Sequence, residues 1–233
     1  MIQKILEKVD NALSHRDYSE AERILTYWLD ESNDRDKVTL LNELLGLYRK
    51  TKREEKALET VPQLEALLEK LSLTSSETAA TSFINTATVY SAFGLYQKAI
   101  RYYQRSEVLL RDCKDDTLLS SLYNNMGTCY TMLKIYNRAV LYLHLALSKT
   151  EKELDKAITY LNLADIYLFE LKHKEKEDWY LKRAKYSFNK PGIPQDGYYA
   201  FVAEKCAPGF RAHGDVEFAT YLEQRSKEIY ERP

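Results

Sequence analysis

The chain has 233 residues, of which 45% are hydrophobic and 30% charged, with only 7 glycines and 5 prolines. This composition is typical of a folded, mostly helical protein and excludes a long disordered or collagen-like chain. The formal net charge of −1 leaves no basic surplus, so the composition favours neither nucleic acid nor an acidic membrane surface as a partner.

The N-terminal segment predicts a protein that stays in the cytoplasm. Its sequence, MIQKILEKVDNALSH, carries charges every few residues and therefore lacks the apolar run of a signal peptide or a membrane span. The three cysteines, Cys113, Cys129 and Cys206, show no C-x-x-C pairing. An odd number of widely spaced cysteines fits reduced thiols, so we expect neither a disulfide nor a zinc site.

Most of the sequence consists of edited copies of one stretch, Tyr123 to Ala146. Each copy carries a marker pair, a tyrosine followed nine positions later by an alanine. The pair recurs as Tyr48 with Ala57, Tyr90 with Ala99 and Tyr130 with Ala139, with weaker echoes at Ala12 with Ala21 and Phe210 with Ala219. A further copy is centred on Tyr167, where Lys176 stands in place of the alanine. A period near 40 residues indicates a stacked repeat protein.

In chain order, the pattern predicts six helical hairpins that form one domain over residues 1–233. Their ranges are 1–32, 36–73, 75–113, 116–151, 154–190 and 195–231. Asp17 with Glu20 and Thr74 with Glu77 resemble capping boxes, and we expect further helices to start at Asp34 or Asp36, at Asp115 or Asp116, and at Asp196. Pro62 and Pro208 predict a kink or a break, because an interior proline costs a helix about 3 kcal/mol. Gly127 is expected where the two helices of the fourth hairpin touch.

These repeats resemble the tetratricopeptide repeat family. Its pattern reappears at Tyr123, Met126, Gly127, Tyr130, Ala139 and Ala146, and the likeness covers nearly the whole chain. The long period is similar to that of the repeats in kinesin light chains and in Gram-positive peptide-sensing regulators. The resemblance implies an all-α, right-handed α-solenoid in which the first helix of each hairpin lines a concave groove that binds a protein or peptide segment.

One column of this groove is rich in asparagine. Counting back five residues from the marker tyrosines gives Asn85, Asn125 and Asn162. Asparagine is a mediocre helix residue, so its repetition in mid-helix indicates a further role. An amide can bond both the NH and CO groups of an extended peptide. The full set of candidate groove residues is Asn85, Asn125, Asn162, Asn124, Asn42, Thr88, Thr128, Asp165 and Arg49. The alternative interpretation is that the asparagines bridge neighbouring helices of the array.

We therefore expect a non-enzymatic scaffold or adaptor, with no cofactor, no metal and no nucleic-acid or membrane partner. The four histidines show no ligand spacing, and the sequence contains no Gly-rich phosphate loop and no hydrolase motif. Two alternatives stay open. One is a peptide-sensing regulator without its effector domain, since the chain begins directly with its repeats; the other is an accessory subunit of an enzyme. The sequence identifies neither the partner nor the oligomeric state.

Overall fold

A computed structural model describes residues 1–232 and shows twelve α-helices and no β-strand among them. The helices are α1 (Ile2–Ser14), α2 (Tyr18–Glu31), α3 (Asp34–Lys50), α4 (Glu54–Lys70), α5 (Glu77–Ala92), α6 (Tyr96–Leu109), α7 (Asp116–Met132), α8 (Tyr136–Ser148), α9 (Glu153–Asp165), α10 (Lys174–Asn189), α11 (Gly197–Ala212) and α12 (Val216–Tyr230). A π-helical segment, Ile166–Glu170, continues α9. Consecutive helices pair as six hairpins, so the prediction of an all-α repeat fold is confirmed.

The chain divides into two compact units of three hairpins each. Unit 1 spans Met1–Asp112 and unit 2 spans Cys113–Pro233. Each unit has its own apolar core, built around leucines such as Leu40 and Leu64 in unit 1 and around aromatic residues such as Tyr199 and Phe210 in unit 2. The boundary falls between the third and fourth hairpins, whereas the repeat pattern predicted one domain over residues 1–233.

Short polar side chains cap half of the twelve helices, including those predicted to start after Asp17 and Asp196. The carboxylate of Asp17 accepts a hydrogen bond from the backbone N–H of Glu20 at 2.9 Å. Asp115 and Asp196 cap α7 and α11 in the same way. Such caps satisfy N–H groups that have no partner within the helix.

One predicted helix start is wrong and another is confirmed. The Thr74 cap is wrong, because α5 begins two residues later and Ser76 accepts from the N–H of Ala79 at 3.1 Å. For α3, Asn33 is the capping residue, which fixes the helix start at Asp34.

Neither interior proline interrupts its helix. Helix α4 runs through Pro62 and α11 runs through Pro208, so the expected breaks are absent from both. A proline removes one backbone hydrogen bond, but residues on either side of each proline are buried. Val61 and Leu64 flank Pro62 in the core of unit 1. The packing of these neighbours holds each helix together across the missing bond.

Two glycines mark close approaches between helices in unit 2. A Cβ atom on Gly127 would lie 2.6 Å from Cγ of Leu143, which confirms the expected contact between α7 and α8. A second approach, which the sequence did not indicate, lies between α9 and α11. There a Cβ on Gly209 would lie 2.5 Å from Cδ2 of Leu161. Both values are well below ordinary carbon–carbon contact of about 3.5–4.0 Å, so a larger residue at either position would force the facing leucine to shift.

The turns of the hairpins share one register, with a single exception. Five hairpins place a residue with positive φ four positions after the first marker: Arg16, Lys52, Gly94, Lys134 and Gly214. In each of these hairpins the marker alanine follows five positions later. The fifth hairpin has its positive-φ residue, Lys172, five positions after Tyr167. The π-helical segment accounts for the difference, because a π turn accommodates one extra residue within the helix.

This insertion corrects the marker of the fifth hairpin. Five positions beyond Lys172 lies Glu177, so the assignment of Lys176 to the alanine position is wrong by one residue. Glu177 is 1% exposed, and the marker alanines are likewise buried. Lys176 instead occupies the position just before the marker alanine, and this position is basic in three other hairpins.

A basic side chain lies over the marker tyrosine in each of the four central hairpins. Its charged group is 4.9 to 5.7 Å from the ring centroid in the pairs Lys56–Tyr48, Lys98–Tyr90, Arg138–Tyr130 and Lys176–Tyr167. Cation–π contacts at this distance are attractive. This shared contact supports the corrected register. In the fifth hairpin Lys176 lies over the marker tyrosine, as the residue before the marker alanine does in the other three.

Buried serines join the two helices of three hairpins. The hydroxyl of Ser106 donates to the carbonyl oxygen of Ala80 at 2.8 Å, and Ser226 donates to that of Ala200 at 2.9 Å. In the fourth hairpin Ser120 donates to the carbonyl oxygen of Ala146 at 3.0 Å. Each hydroxyl thereby satisfies its own hydrogen-bonding need inside the core and fixes the pairing of the helices.

Candidate functional site

In unit 1, the asparagine column forms a bridge between the first helices of two hairpins. The Nδ2 group of Asn85 on α5 donates to Oδ1 of Asn42 on α3 at 2.8 Å. Asn42 in turn donates to Oγ of Ser82 at 2.9 Å. All three residues are at least partly withdrawn from solvent. The contacts are those of the alternative interpretation, in which amides connect neighbouring helices.

Unit 2 repeats the bridge with equivalent residues. Nδ2 of Asn162 on α9 donates to Oδ1 of Asn124 on α7 at 3.1 Å, and the hydroxyl of Thr159 donates to the same oxygen at 3.2 Å. Thr159 and Asn162 stand three residues apart, as Ser82 and Asn85 do in unit 1. The accepting asparagine lies six residues before its marker tyrosine in both units, and the donating asparagine lies five before.

Asn125 differs from the other two asparagines of its column. It is half-buried, and its side chain makes no hydrogen bond to any residue of the described chain. It lines a cavity of about 190 Å³ between α7, α9 and α11. The cavity wall is largely polar and includes Ser121, Asn124 and Thr159. An amide facing such a cavity retains two N–H donors and one carbonyl acceptor for a ligand.

The bridging amides also keep unused capacity. Asn85 and Asn162 each donate through Nδ2, but within residues 1–232 no group donates to their Oδ1 atoms. A side-chain carbonyl oxygen can accept hydrogen bonds from a peptide N–H. These two asparagines can therefore bridge the helices and accept from a ligand at the same time.

The remaining candidate residues have different surroundings. The Thr88 hydroxyl donates to the carbonyl oxygen of Ile84 at 2.8 Å, and the Thr128 hydroxyl donates to that of Asn124 at 3.0 Å. Thr128 also accepts from Asn162 at 3.4 Å. Arg49 lies exposed in the last turn of α3, in unit 1. Thr128 therefore lies beside the bridge of unit 2, whereas Arg49 belongs to the end of its helix.

Asp165 belongs to a buried ionic cluster that sequence reasoning missed. Nε2 of His213 lies 2.7 Å from Oδ1 of Asp165, and Nδ1 lies 2.9 Å from Oε1 of Glu177. The His213 side chain is fully buried. Burial by itself lowers the pKa of His213, but the hydrogen bonds to the two carboxylates outweigh it and raise the pKa above its ordinary value. A ring that faces a carboxylate at each nitrogen donates twice, which only the imidazolium can do.

Glu177 explains why the cluster exists. It stands in the marker alanine position of the fifth hairpin, where the repeat normally buries a methyl group. A carboxylate buried there needs a partner. His213 from the sixth hairpin supplies one, and Nζ of Lys174 supplies another at 3.0 Å from Oε2. The missing alanine of the fifth hairpin and the histidine at the turn of the sixth looked unrelated in sequence. In the structure they are the two partners of the contact between Glu177 and His213.

The cluster has no associated nucleophile or metal-binding group. Within residues 1–232, no three His, Cys, Asp or Glu side chains are placed to hold a metal ion. Cys129 and Cys206 are buried, and burial raises the pKa of Cys206 to about 12. A thiol in that state is a small apolar side chain rather than a reactive group. None of the helices in residues 1–232 has the length and apolar character needed to span a bilayer.

Three residues of the sixth hairpin complete the cavity of unit 2. Tyr198, Phe201 and Lys205 on α11 form the wall opposite Asn125. Counting back five residues from Phe210, the marker of this hairpin, gives Lys205. The same count that found the asparagines therefore places a lysine in their column. Lys205 could have been found in the sequence through the weak marker pair of the sixth hairpin, Phe210 with Ala219.

Comparisons with solved structures agree on the fold. BtubC (BKLC) from P. vanneervenii superposes with a TM-score of 0.73 over 83% of this chain and 82% of its own, at 20% identity. The apo form of the quorum sensor NprR from B. thuringiensis gives 0.67 over 98% of this chain, at 16% identity. A Podosopora anserina kinesin light chain with nearly identical TPR-like repeats gives 0.58 over 83% of this chain and 94% of its own, at 17% identity.

The present chain spans 64% of the length of the NprR structure. No protein-family model matches the sequence, and no curated protein matches it. The structural matches show that the chain has the fold of the tetratricopeptide-like repeat proteins, as the marker residues predicted.

Proposed function

We propose that the chain is a non-enzymatic adaptor that holds an extended segment of a partner protein or peptide against the first helices of its hairpins. In unit 2 the binding surface is the cavity between α7, α9 and α11. Asn125 lines this cavity and bonds the peptide backbone there. Asn162 is held by Asn124, which lines the cavity, and by Thr128, and it offers a second amide beside the cavity. Asn85, with Asn42 behind it, offers the corresponding amide in unit 1.

The observation that carries this proposal is the side chain of Asn125. An asparagine in mid-helix costs more free energy than an alanine would, and no hydrogen bond of the Asn125 side chain within the described chain offsets that cost. A ligand that bonds the amide offsets it.

The experiment selects peptides and then measures one of them on matched variants. A phage-displayed library of random heptapeptides is selected on the immobilised protein, and the most enriched sequence is synthesised with a fluorescent label. Its affinity is measured by fluorescence anisotropy for the wild type, Asn125→Ala and Asn189→Ala. Asn189 is an exposed asparagine at the end of α10 and serves as the control.

Asn125→Ala should weaken binding by about 2- to 10-fold, which corresponds to one lost hydrogen bond of about 0.5–1.5 kcal/mol. The variant should fold at least as stably as the wild type, because alanine is the better helix former. Asn162→Ala should weaken binding and also lower stability, since its amide bridges two helices. The proposal fails if no heptapeptide is enriched, or if Asn125→Ala binds as the wild type does.

A second candidate is a regulator whose state changes when it binds a peptide. The likeness in fold to the quorum sensor over 98% of this chain favours it. Analytical ultracentrifugation of the protein with and without the enriched peptide tests it. In a regulator of this kind the helical array would tighten around the peptide and sediment faster, whereas a simple adaptor would sediment as it does without peptide.

A further inference from the structure

Lys205 is an unpaired positive charge in the cavity of unit 2. It is exposed, lines the cavity, and makes no ion pair within residues 1–232. Its neighbour on α9 also offers it no hydrogen-bond acceptor. The bridging position six residues before the marker, which holds Asn42 and Asn124 in other hairpins, holds Leu161 in α9. Leu161 packs on Gly209 and cannot accept a hydrogen bond from a lysine.

The one acidic side chain of the cavity wall is already engaged. Asp155 accepts a hydrogen bond from the hydroxyl of Tyr198 and another from Thr150 at 3.3 Å. The other polar residues of the wall are serines, asparagines and a threonine. Asp155 keeps its charge, but each of its two carboxylate oxygens already accepts a hydrogen bond, whereas the Lys205 ammonium has no ion-pair partner within residues 1–232. The charged group of the wall that is left to bind a ligand is therefore Lys205, and the complementary ligand group is a carboxylate.

An exposed aromatic surface lies beside this charge. Phe201 is 51% exposed, and its ring stacks on that of Tyr198 with centroids 6.3 Å apart. Because the Tyr198 hydroxyl is tied to Asp155, the pair is held in place rather than free to rotate away. Held aromatic rings lose little conformational entropy on binding, and their faces suit an apolar side chain.

The spacing of these two groups matches an extended peptide. Phe201 and Lys205 are four residues apart on α11, so their Cβ atoms are separated by about 5–6 Å along one helix face. In an extended peptide, side chains two residues apart point to the same side and are separated by about 6.6 Å. One apolar residue and one acidic residue in positions i and i+2, in either order, fit the two contacts together.

We infer that the segment bound in the cavity of unit 2 carries an apolar side chain against Phe201 and an Asp or Glu side chain, two positions away, against Lys205. This inference rests on the proposed function and names the chemistry of the partner. The occupant is an acidic, partly apolar stretch of a protein chain. Lys205 and Phe201 determine which sequences bind, while Asn125 and Asn162 bond the peptide backbone independently of its sequence.

The selection experiment tests the inference when it is run on charge variants. Random heptapeptides are displayed between glycine flanks, so that none has a free carboxyl terminus, and selected on the wild type, Lys205→Glu and Lys182→Glu. Lys182 is an exposed lysine on α10 outside the cavity and is the matched control. Sequences from the wild type and from Lys182→Glu should be enriched in Asp or Glu two positions from a large apolar residue. Lys205→Glu should instead select Lys or Arg at that position.

A neutral variant guards against loss of folding, because Lys205→Glu places a second carboxylate near Asp155. Lys205→Gln should bind the best wild-type peptide up to about 5-fold more weakly, as expected for a solvent-accessible ion pair. Enrichment without an acidic bias, or the same bias on Lys205→Glu, overturns the inference and leaves the proposed function standing. Absence of any enriched peptide on the wild type overturns both.

Discussion

The contact between Gly127 and Leu143 makes a sharp prediction about a single methyl group. In Gly127→Ala the new Cβ would lie 2.6 and 2.7 Å from two side-chain carbons of Leu143 and 3.3 Å from the carbonyl oxygen of Ala139. Carbon atoms in ordinary contact are about 3.5–4.0 Å apart, so Leu143 would have to move by roughly 1 Å. Leu143 has no exposed surface and so no open space to move into. Overpacking of this kind costs about 1–3 kcal/mol.

The same substitution at Gly46 provides the control. Gly46 also lies in the middle of a first helix, but a Cβ there would meet nothing within 4 Å. Gly46→Ala should therefore stabilise the protein by about 0.8–1.0 kcal/mol, the difference in helix propensity between the two residues. Gly127→Ala gains the same helix propensity but also overpacks the contact with Leu143. The difference between the two variants isolates the overpacking cost, about 1–3 kcal/mol.

Urea unfolding followed by far-UV circular dichroism measures both variants. The structure contains two compact units, so unfolding midpoints are compared only where the variant and the wild type unfold with the same dependence on urea concentration. Equal midpoints for Gly46→Ala and Gly127→Ala would refute the assignment of Gly127 to a close contact. Gly127→Leu, with three further carbon atoms, should lower the midpoint more than Gly127→Ala does.

Three further predictions concern other contacts of the fold. The pKa of His213 is raised in the folded state, so its ion pairs stabilise the protein fully below the unfolded pKa of about 6.5 and lose that contribution as pH rises through the folded pKa. The stability advantage of the wild type over His213→Gln, measured by urea unfolding from pH 6 to 9, should shrink with rising pH; a constant difference would contradict the ionic account. Ser106→Ala should cost about 0.5–1.5 kcal/mol through the lost buried hydrogen bond, whereas Ser148→Ala, at an exposed hydroxyl, should leave the unfolding midpoint nearly unchanged. Gly209→Ala should lower the thermal unfolding temperature, and a rise instead would show that α9 and α11 can separate without cost.

The helices and their pairing could be predicted because they follow from local patterns. Apolar residues at helical spacing, aspartates at helix starts and a small residue such as Gly127 each act within one hairpin. The breaks considered at the prolines are absent for the opposite reason. The cost of Pro62 is local, but the packing of its buried neighbours Val61 and Leu64, which holds α4 together, comes from other helices. Sequence patterns alone do not weigh one against the other.

The candidate site was predictable only as a column. The count back from the markers found Asn85, Asn125 and Asn162, but it could not separate the two that bridge helices from the one that does not. That distinction depends on the partner residue in the preceding first helix, six positions before the marker of that helix. The partner is Asn42 for Asn85 and Asn124 for Asn162. The His213 cluster could not be predicted, because its members come from α9, α10 and the turn after α11, and one of them stands in a shifted register.

The π-helical segment has a consequence for anyone who aligns this chain with its structural relatives. An extra residue in a repeat is usually assigned to the turn between helices, where length varies most freely. Here the extra residue lies before the turn, inside the helical run that ends at Glu170. An alignment without a gap would pair Lys176 with the alanines of other repeats, and a gap placed in the turn would leave the residues between Tyr167 and the turn one position out of step. The gap belongs in the helix, and with it there Glu177 aligns with Ala139 and Ala219.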